Sequence, residues 1–207
     1  MKRYECLQAI APLMKDELFV TSAGGATSEW CAVRPSDANL QVKTLGLCSS
    51  IGLGLATAVP RRKVFVFDGD GALWMNLGSL ATIGLHQPKN LVHVCWDNRE
   101  YESSGGEPTV SRAGKINFAE VARAAGIQSA RSVETVEELL AAVRHALDND
   151  GPHFIWARIE AGRAEVPPLP VDELENKYRF IRYLEQSEGL AILRMPMPAS
   201  YEKKPKI

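Results

Sequence analysis

Asp70 stands between two glycines, Gly69 and Gly71, where the apolar run Val64–Phe67 gives way to a helix-like pattern. Asn98 follows a second apolar run, NLVHVCW, over residues 90–96. If both runs are strands of one parallel sheet, both residues sit at carboxyl ends, where open α/β sheets collect ligands. Neighbouring strands lie about 5 Å apart, so a carboxylate and an amide oxygen could share one hard cation. A donor set of such low charge suits Mg2+ when phosphates supply the remaining ligands. Bare glycine lets a diphosphate approach the backbone, and amides at the start of the next helix would face it. The competing reading is plain: Gly-Asp-Gly is also a common tight turn, and Asp-Asn after a strand is an ordinary loop start.

The elements that must position these residues alternate. A helix is expected over Arg3–Met14, with Cys6, Leu7, Ile10, Leu13 and Met14 apolar, then a short strand in ELFVTSAGG that runs into a glycine-bearing loop. LCSSIGLGLATAV reads as an apolar helix whose Gly52 and Gly54 admit a close backbone, and KVFVF as a strand covered on both faces. A helix over Ala72–His86 stops before Pro88, and NLVHVCW is the next buried strand. After the polar loop DNREYESSGGEPTVSRAGK, NFAEVARAAG reads as a helix with Asn117 as N-cap and Gly126 at its stop. A short strand near Ile127–Ala130, a helix over Thr135–Leu147 and a strand over His153–Ile159 complete the series. The pattern predicts an α/β domain over residues 1–160, an open and mainly parallel sheet with helices on both faces. Residues 161–207 would then be a stiff connector, EVPPLP, a final helix over Val171–Gln186 and a frayed basic tail, YEKKPKI. That helix carries Val171, Leu174, Tyr178, Ile181 and Leu184 on one stripe, which would dock on the domain or on a partner.

Composition narrows the classes. The chain has 207 residues and a formal charge of -1, which argues against a nucleic-acid footprint or an anionic membrane surface. Cys6, Cys31, Cys48 and Cys95 stand far apart with no Cys-x-x-Cys pair, so they read as small buried hydrophobes in a reducing compartment. The N-terminus is a poor signal peptide, and the uncharged stretch Thr44–Pro60 is too short and too rich in Gly, Ser and Thr to span a bilayer. A cytoplasmic, soluble chain is the expectation.

Gly69-Asp70-Gly71, the 26 residues Ala72–Asp97 and then Asn98 resemble the motif of thiamine-diphosphate enzymes. The flanks SSIGLGLA, GDGALWMNLGSLATIG, PKNL and YESSGGEPT are similar to stretches in decarboxylases of the sulfopyruvate and phosphonopyruvate type, from about Val20 to Ile159. The resemblance implies that Asp70 and Asn98 bind Mg2+ through side-chain oxygens and Glu100 through its backbone carbonyl. Gly71 and Ala72, in the loop opened by Gly69, would lend amides to the diphosphate; many relatives have Ser where Ala72 stands. Leu45 corresponds to the bulky residue that props the cofactor bent. Lys43, next to Thr44, falls where a backbone carbonyl receives the 4'-amino group. Gly25 and Thr27 would supply another diphosphate contact, and Tyr101 is a further candidate at the cofactor. His86, His93, Arg112 and Lys115 are better read as helix-end, strand and loop residues.

By the same resemblance, thiamine diphosphate would take up the electrons released as a small 2-oxo acid loses CO2. The glutamate that activates the pyrimidine comes, in these families, from a separate domain, for which no segment here has room. The expectation is therefore a half-site with no catalytic residue of its own. A pyrimidine-binding α-type partner subunit would complete it in a hetero-oligomer, with a homo-oligomer as the form taken in isolation. Two rivals stay open: a subunit of another thiamine-diphosphate enzyme, carboligase or transketolase-like, and a cofactor-binding module without catalysis. A ferredoxin-linked oxidoreductase subunit is disfavoured by the lack of Cys-rich cluster motifs.

Overall fold

The structure, a computed structural model, describes residues 1–167, 169 and 172–193. Eight strands form: β1 (Leu18–Ser22), β2 (Asn39–Val42), β3 (Val64–Gly69), β4 (Leu91–Asp97), β5 (Glu100–Tyr101), β6 (Glu107–Pro108), β7 (Ser129–Val133) and β8 (His153–Arg158). Six of them make one parallel sheet in the order β2-β1-β3-β4-β8-β7, while β5 and β6 pair antiparallel in the loop beyond β4.

Helices cover both faces, as the alternation predicts. On one face α1 (Arg3–Ile10), α2 (Gly25–Val33) and α7 (Val136–Asp148) bury Leu7, Trp30 and Leu139 against Phe19, Phe65 and Val94. On the other, α3 (Cys48–Ala58), α4 (Asp70–Met75), α5 (Ser79–His86), α6 (Phe118–Ala124) and α8 (Glu173–Glu188) set Leu73, Leu80, Phe118 and Phe180 against Val20, Val66 and Phe154. Strands buried on both faces favour apolar residues at nearly every position, which is why VFVF and, but for the buried His93, LVHVC read as near-continuous runs.

The chain leaves β1 through α2 to β2, then returns through α3 to β3 on the other side of β1. Because α2, which leaves β1, and α4, which leaves β3, pack on opposite faces, the connections beyond the carboxyl ends of these two paired strands diverge and leave a crevice at this switch point. Next to it, Gly69 of β3 is in register with Trp96 of β4. Asp70 and Asn98 therefore emerge at neighbouring strand tips.

Several expectations need correction. Pro12 converts the end of the first helix into a 3-10 turn, Ala11–Leu13. GGATSEW is the start of α2, not a loop, and β2 at the sheet edge follows it. The helix expected over Ala72–His86 is two helices, broken at Asn76, whose side-chain amide donates to Gly46 O (2.8 Å) and Ser50 Oγ (3.1 Å). Gly52 does receive a close neighbour, Val66, whereas Gly54 faces open space. The stripe expected for the last helix holds only in part: Leu184 is buried and Ile181 half-buried, but Leu174 and Tyr178 are exposed, and Asn176 and Phe180 are buried instead. Val171 and the tail YEKKPKI lie outside the described residues.

The helix docks on this chain. Asn176 accepts from Gln41 N and donates to Asn39 O, both at 2.9 Å, so one side-chain amide satisfies the open edge of β2. All four cysteines are free; burial pushes the thiols of Cys48 and Cys95 well up, which keeps them inert. Among the described residues no helix is long and apolar enough to cross a membrane.

Candidate active site

One cleft of about 490 Å³, its open mouth included, lies at the switch point. Into it come Gly25 from the start of α2, Leu45 from the loop before α3, and Gly69, Asp70, Gly71 and Ala72 from the β3–α4 junction. Asn98, Glu100 and Tyr101 close it from beyond β4. Nine of the twelve residues singled out in the sequence thus share one space.

The other three stand apart from the lining. Thr27 is buried, but its hydroxyl is engaged with Thr21 Oγ1 (2.9 Å) and Ser22 O (2.5 Å), where it ties the start of α2 to β1. Lys43 and Thr44 are exposed, and the Lys43 ammonium pairs with Glu173 of α8.

Asp70 is 1% exposed, and its Oδ2 accepts a 2.5 Å hydrogen bond from Thr109 Oγ1. Burial is the largest cause that pushes its pKa up to about 7; the Thr109 hydroxyl opposes it, and the charge of Asp97 adds to it. Asp97 is itself held by Trp156 Nε1 (2.8 Å) and by the amide of Arg99 (3.1 Å). Two buried carboxylates side by side ask for a cation. Asn98, also buried, accepts from Glu100 N through Oδ1 (3.1 Å), which leaves that oxygen a second lone pair. Among the described residues no group of three or more His, Cys, Asp or Glu side chains could hold a metal by itself. The donor set therefore fits a hard cation that arrives with phosphate ligands, the Mg2+–diphosphate case, and not a cage made wholly of protein.

Gly71 is where the absence of a side chain matters most. A Cβ there would overlap the Tyr101 ring and come within 3.1 Å of Thr109 Cγ2. The Tyr101 ring thus packs on the first turn of α4, and only glycine lets the loop beyond β4 close on Asp70.

Sequence reasoning missed several lining or supporting residues. Thr109 and Ser111 face Asp70 from the end of the polar loop, and Trp74 Nε1 donates to Ser111 Oγ at 3.2 Å. Arg3, Trp96 and Glu102 also line the cleft. Their one sequence signal was weak: Arg3 and Glu102 are 99 residues apart and meet only through the fold.

Fold and cleft together define a class: a parallel α/β domain with a cleft at its switch point whose donors suit a phosphate-bearing ligand and a hard cation. The model of the family described as thiamine pyrophosphate enzyme, C-terminal TPP binding domain, matches residues 32–157. The chain belongs to that family. It is 35% identical over 183 residues to sulfopyruvate decarboxylase subunit beta of Methanothermobacter thermautotrophicus, which covers 88% of this chain and 95% of that subunit. To phosphonopyruvate decarboxylase of Streptomyces viridochromogenes it is 36% identical over 174 residues, 82% of this chain but 43% of that enzyme. Among solved structures, benzoylformate decarboxylase from Polynucleobacter necessarius has the same fold, with a TM-score of 0.62 at 20% identity, over 81% of this chain and 33% of that one.

Proposed function

We propose that this chain is the diphosphate- and metal-binding subunit of a thiamine-diphosphate-dependent decarboxylase of small 2-oxo acids, of the sulfopyruvate and phosphonopyruvate type. One observation carries the reading most of the way. Asp70 and Asn98 stand at the tips of adjacent parallel strands, in one cleft, with the Asp70 carboxyl buried and, among the described residues, no side-chain cation on it. The near-full-length similarity to a beta subunit supports the decarboxylase class and the division of the enzyme into two polypeptides.

In this reading Asp70, Asn98 and the carbonyl of Glu100 hold Mg2+, and the amides of Gly71 and Ala72 face the diphosphate. Leu45, at the cleft wall, sets the angle at which the cofactor leaves the pocket. Lys43 and Thr44, just outside the lining, could take part only through their backbone. Thr27 serves by fixing the start of α2, so Gly25 is left as the contact from the first turn of that helix. Thiamine diphosphate, when bound, supplies the electron sink for loss of CO2. The activating carboxylate comes from a pyrimidine-binding partner subunit seated over the mouth.

The test is direct. The chain and its pyrimidine-binding partner are purified together, supplied with thiamine diphosphate and Mg2+, and assayed for CO2 release from sulfopyruvate and phosphonopyruvate. Turnover that requires both subunits is expected. No release from any 2-oxo acid would defeat the decarboxylase reading, and cofactor binding without turnover would make the chain a binding module.

A further inference from the structure

We infer that Arg3 and Trp96 form an unassigned anion-binding edge for the cofactor's diphosphate, and that the Glu102 carboxylate occupies this edge in the ligand-free chain. The inference rests on the diphosphate reading above and adds residues that lie outside its motif.

Arg3 comes from the first turn of α1, and its guanidinium is buried in the cleft. Glu29 of α2 anchors it through Nε (2.7 Å) and Nη2 (3.2 Å), and the same carboxylate accepts from Ala164 N at 2.8 Å. Glu29 is 1% exposed, so this half of the arrangement is fixed. The other half is not. Nη2 also donates to Glu102 Oε2 (3.1 Å), and the same oxygen accepts from Asn98 Nδ2 (3.3 Å). Glu102 is 16% exposed and belongs to the short 3-10 turn Glu102–Ser104, which Gly105 and Gly106, both at positive φ, follow. A side chain built on Gly25 would overlap both Arg3 Nη2 and Glu102 Oε1. The two therefore lie directly on the bare backbone where a diphosphate would rest.

Trp96 is the independent observation. Trp96 is 1% exposed and is one of the residues that line the cleft, yet its indole N–H has no hydrogen-bond partner among the described residues. A buried donor left unpaired costs stability unless an acceptor arrives. Arg3 is the cation among the described residues that line the cleft, against Asp70, Glu100 and Glu102. One Mg2+ does not make room for a diphosphate beside all three carboxylates. Glu102 is the carboxylate free to leave: an incoming phosphate oxygen accepts from Arg3 and Trp96 in its place, and the glycine-hinged turn swings Glu102 out. Guanidinium geometry suits this exchange, since one planar donor face serves carboxylate and phosphate alike.

Calorimetry on the full chain with Mg2+, using inorganic pyrophosphate and thiamine diphosphate as separate probes, tests the inference. Glu102→Gln keeps the size of the side chain and removes the competing charge. It should tighten both probes by roughly three- to tenfold. Arg3→Gln should weaken both by about tenfold or more, and Trp96→Phe by about threefold or more. Arg3→Gln also strips Glu29 of its partner and can fail to fold, so the gain with Glu102→Gln is decisive, because loss of structure does not raise affinity. Unchanged or weaker binding in Glu102→Gln, with binding intact in the unaltered chain, overturns this inference alone. Failure of the unaltered chain to bind either probe overturns the diphosphate reading and takes the inference with it.

Discussion

A single side chain shows how function opposes stability here. Asp70 is buried beside Asp97, with two hydroxyls as its only relief. Its pKa is raised from 3.8 to about 7, so the folded chain binds more protons than the unfolded one between those values. The stability carried by protonated Asp70 is full below 3.8 and is lost as pH rises through 7. Asp70→Asn should therefore raise the stability of the ligand-free chain at pH 8 by about 1–2 kcal/mol, a melting shift of about 2–8 °C. The same substitution should abolish the added stability that Mg2+ with pyrophosphate gives the unaltered chain. Thermal melts with and without those ligands check both halves. A lower melting point in the ligand-free Asp70→Asn chain would show that the carboxylate is paired and not strained.

At the scale of elements, the buried strands and the long amphipathic α7 were legible because each obeys one simple period. The cleft was legible where strand ends and glycines marked it, at Gly69–Ala72 and Asn98–Tyr101. What escaped was whatever the fold assembles from distant or polar residues. α2 and β2 are short and half polar, and Thr109, Arg3 and Glu102 gain their meaning from contacts across 39 and 99 residues. α8 is the clearest case: apolar periodicity pointed rightly to Leu184 but also to the exposed Leu174 and Tyr178, while a polar residue, Asn176, bonds the edge of β2. Asn176→Ala leaves Gln41 N and Asn39 O without partners and should cost about 1–3 kcal/mol. Hydrogen exchange at the Gln41 amide should accelerate in that variant more than exchange in β3, which reads release of α8 apart from global loss. The β7–β8 pair carries a pH dependence of its own. His153 bonds Ser129 Oγ through Nδ1 (2.7 Å) and Asn149 O through Nε2 (3.1 Å), an arrangement of neutral imidazole, and burial lowers its pKa below 6.5. The unfolded chain then takes up the proton first, so stability is full above 6.5 and falls as pH drops through the folded value. Denaturant midpoints between pH 7 and pH 5 should decline in the unaltered chain and decline less in His153→Phe.

On the scale of the whole molecule, the exposed apolar residues are not scattered evenly. Leu47, Met75 and Val110 are 44%, 56% and 56% exposed, and each stands close in the chain to the cleft lining or to the Thr109 that bonds Asp70. Leu47 follows Gly46, which packs on Met75 and Asn76; Met75 ends the helix that begins with Asp70; Val110 follows Thr109, the hydrogen-bond partner of Asp70. With Leu45 of the cleft wall we propose them as an apolar rim beside its polar floor, the arrangement of an interface core around a site that must exclude water. The proposed partner subunit would bury this rim when it closes the mouth. A second exposed apolar pair, Leu174 and Tyr178 on α8, lies at the β2 edge and provides the contrast. Met75→Asp and Val110→Asp should each leave the melting point of the chain nearly unchanged, within about 0.5 kcal/mol, since neither residue is in the core. Each should weaken association with the pyrimidine-binding subunit by about tenfold or more, because a charge there must be desolvated without a partner. Leu174→Asp should leave both the melting point and the association unchanged. Sedimentation of the purified pair, read against pyrophosphate binding by the chain alone, separates a lost interface from a damaged site. If Leu174→Asp splits the pair while Met75→Asp and Val110→Asp do not, the partner sits on α8, and the cleft is closed by something other than that subunit.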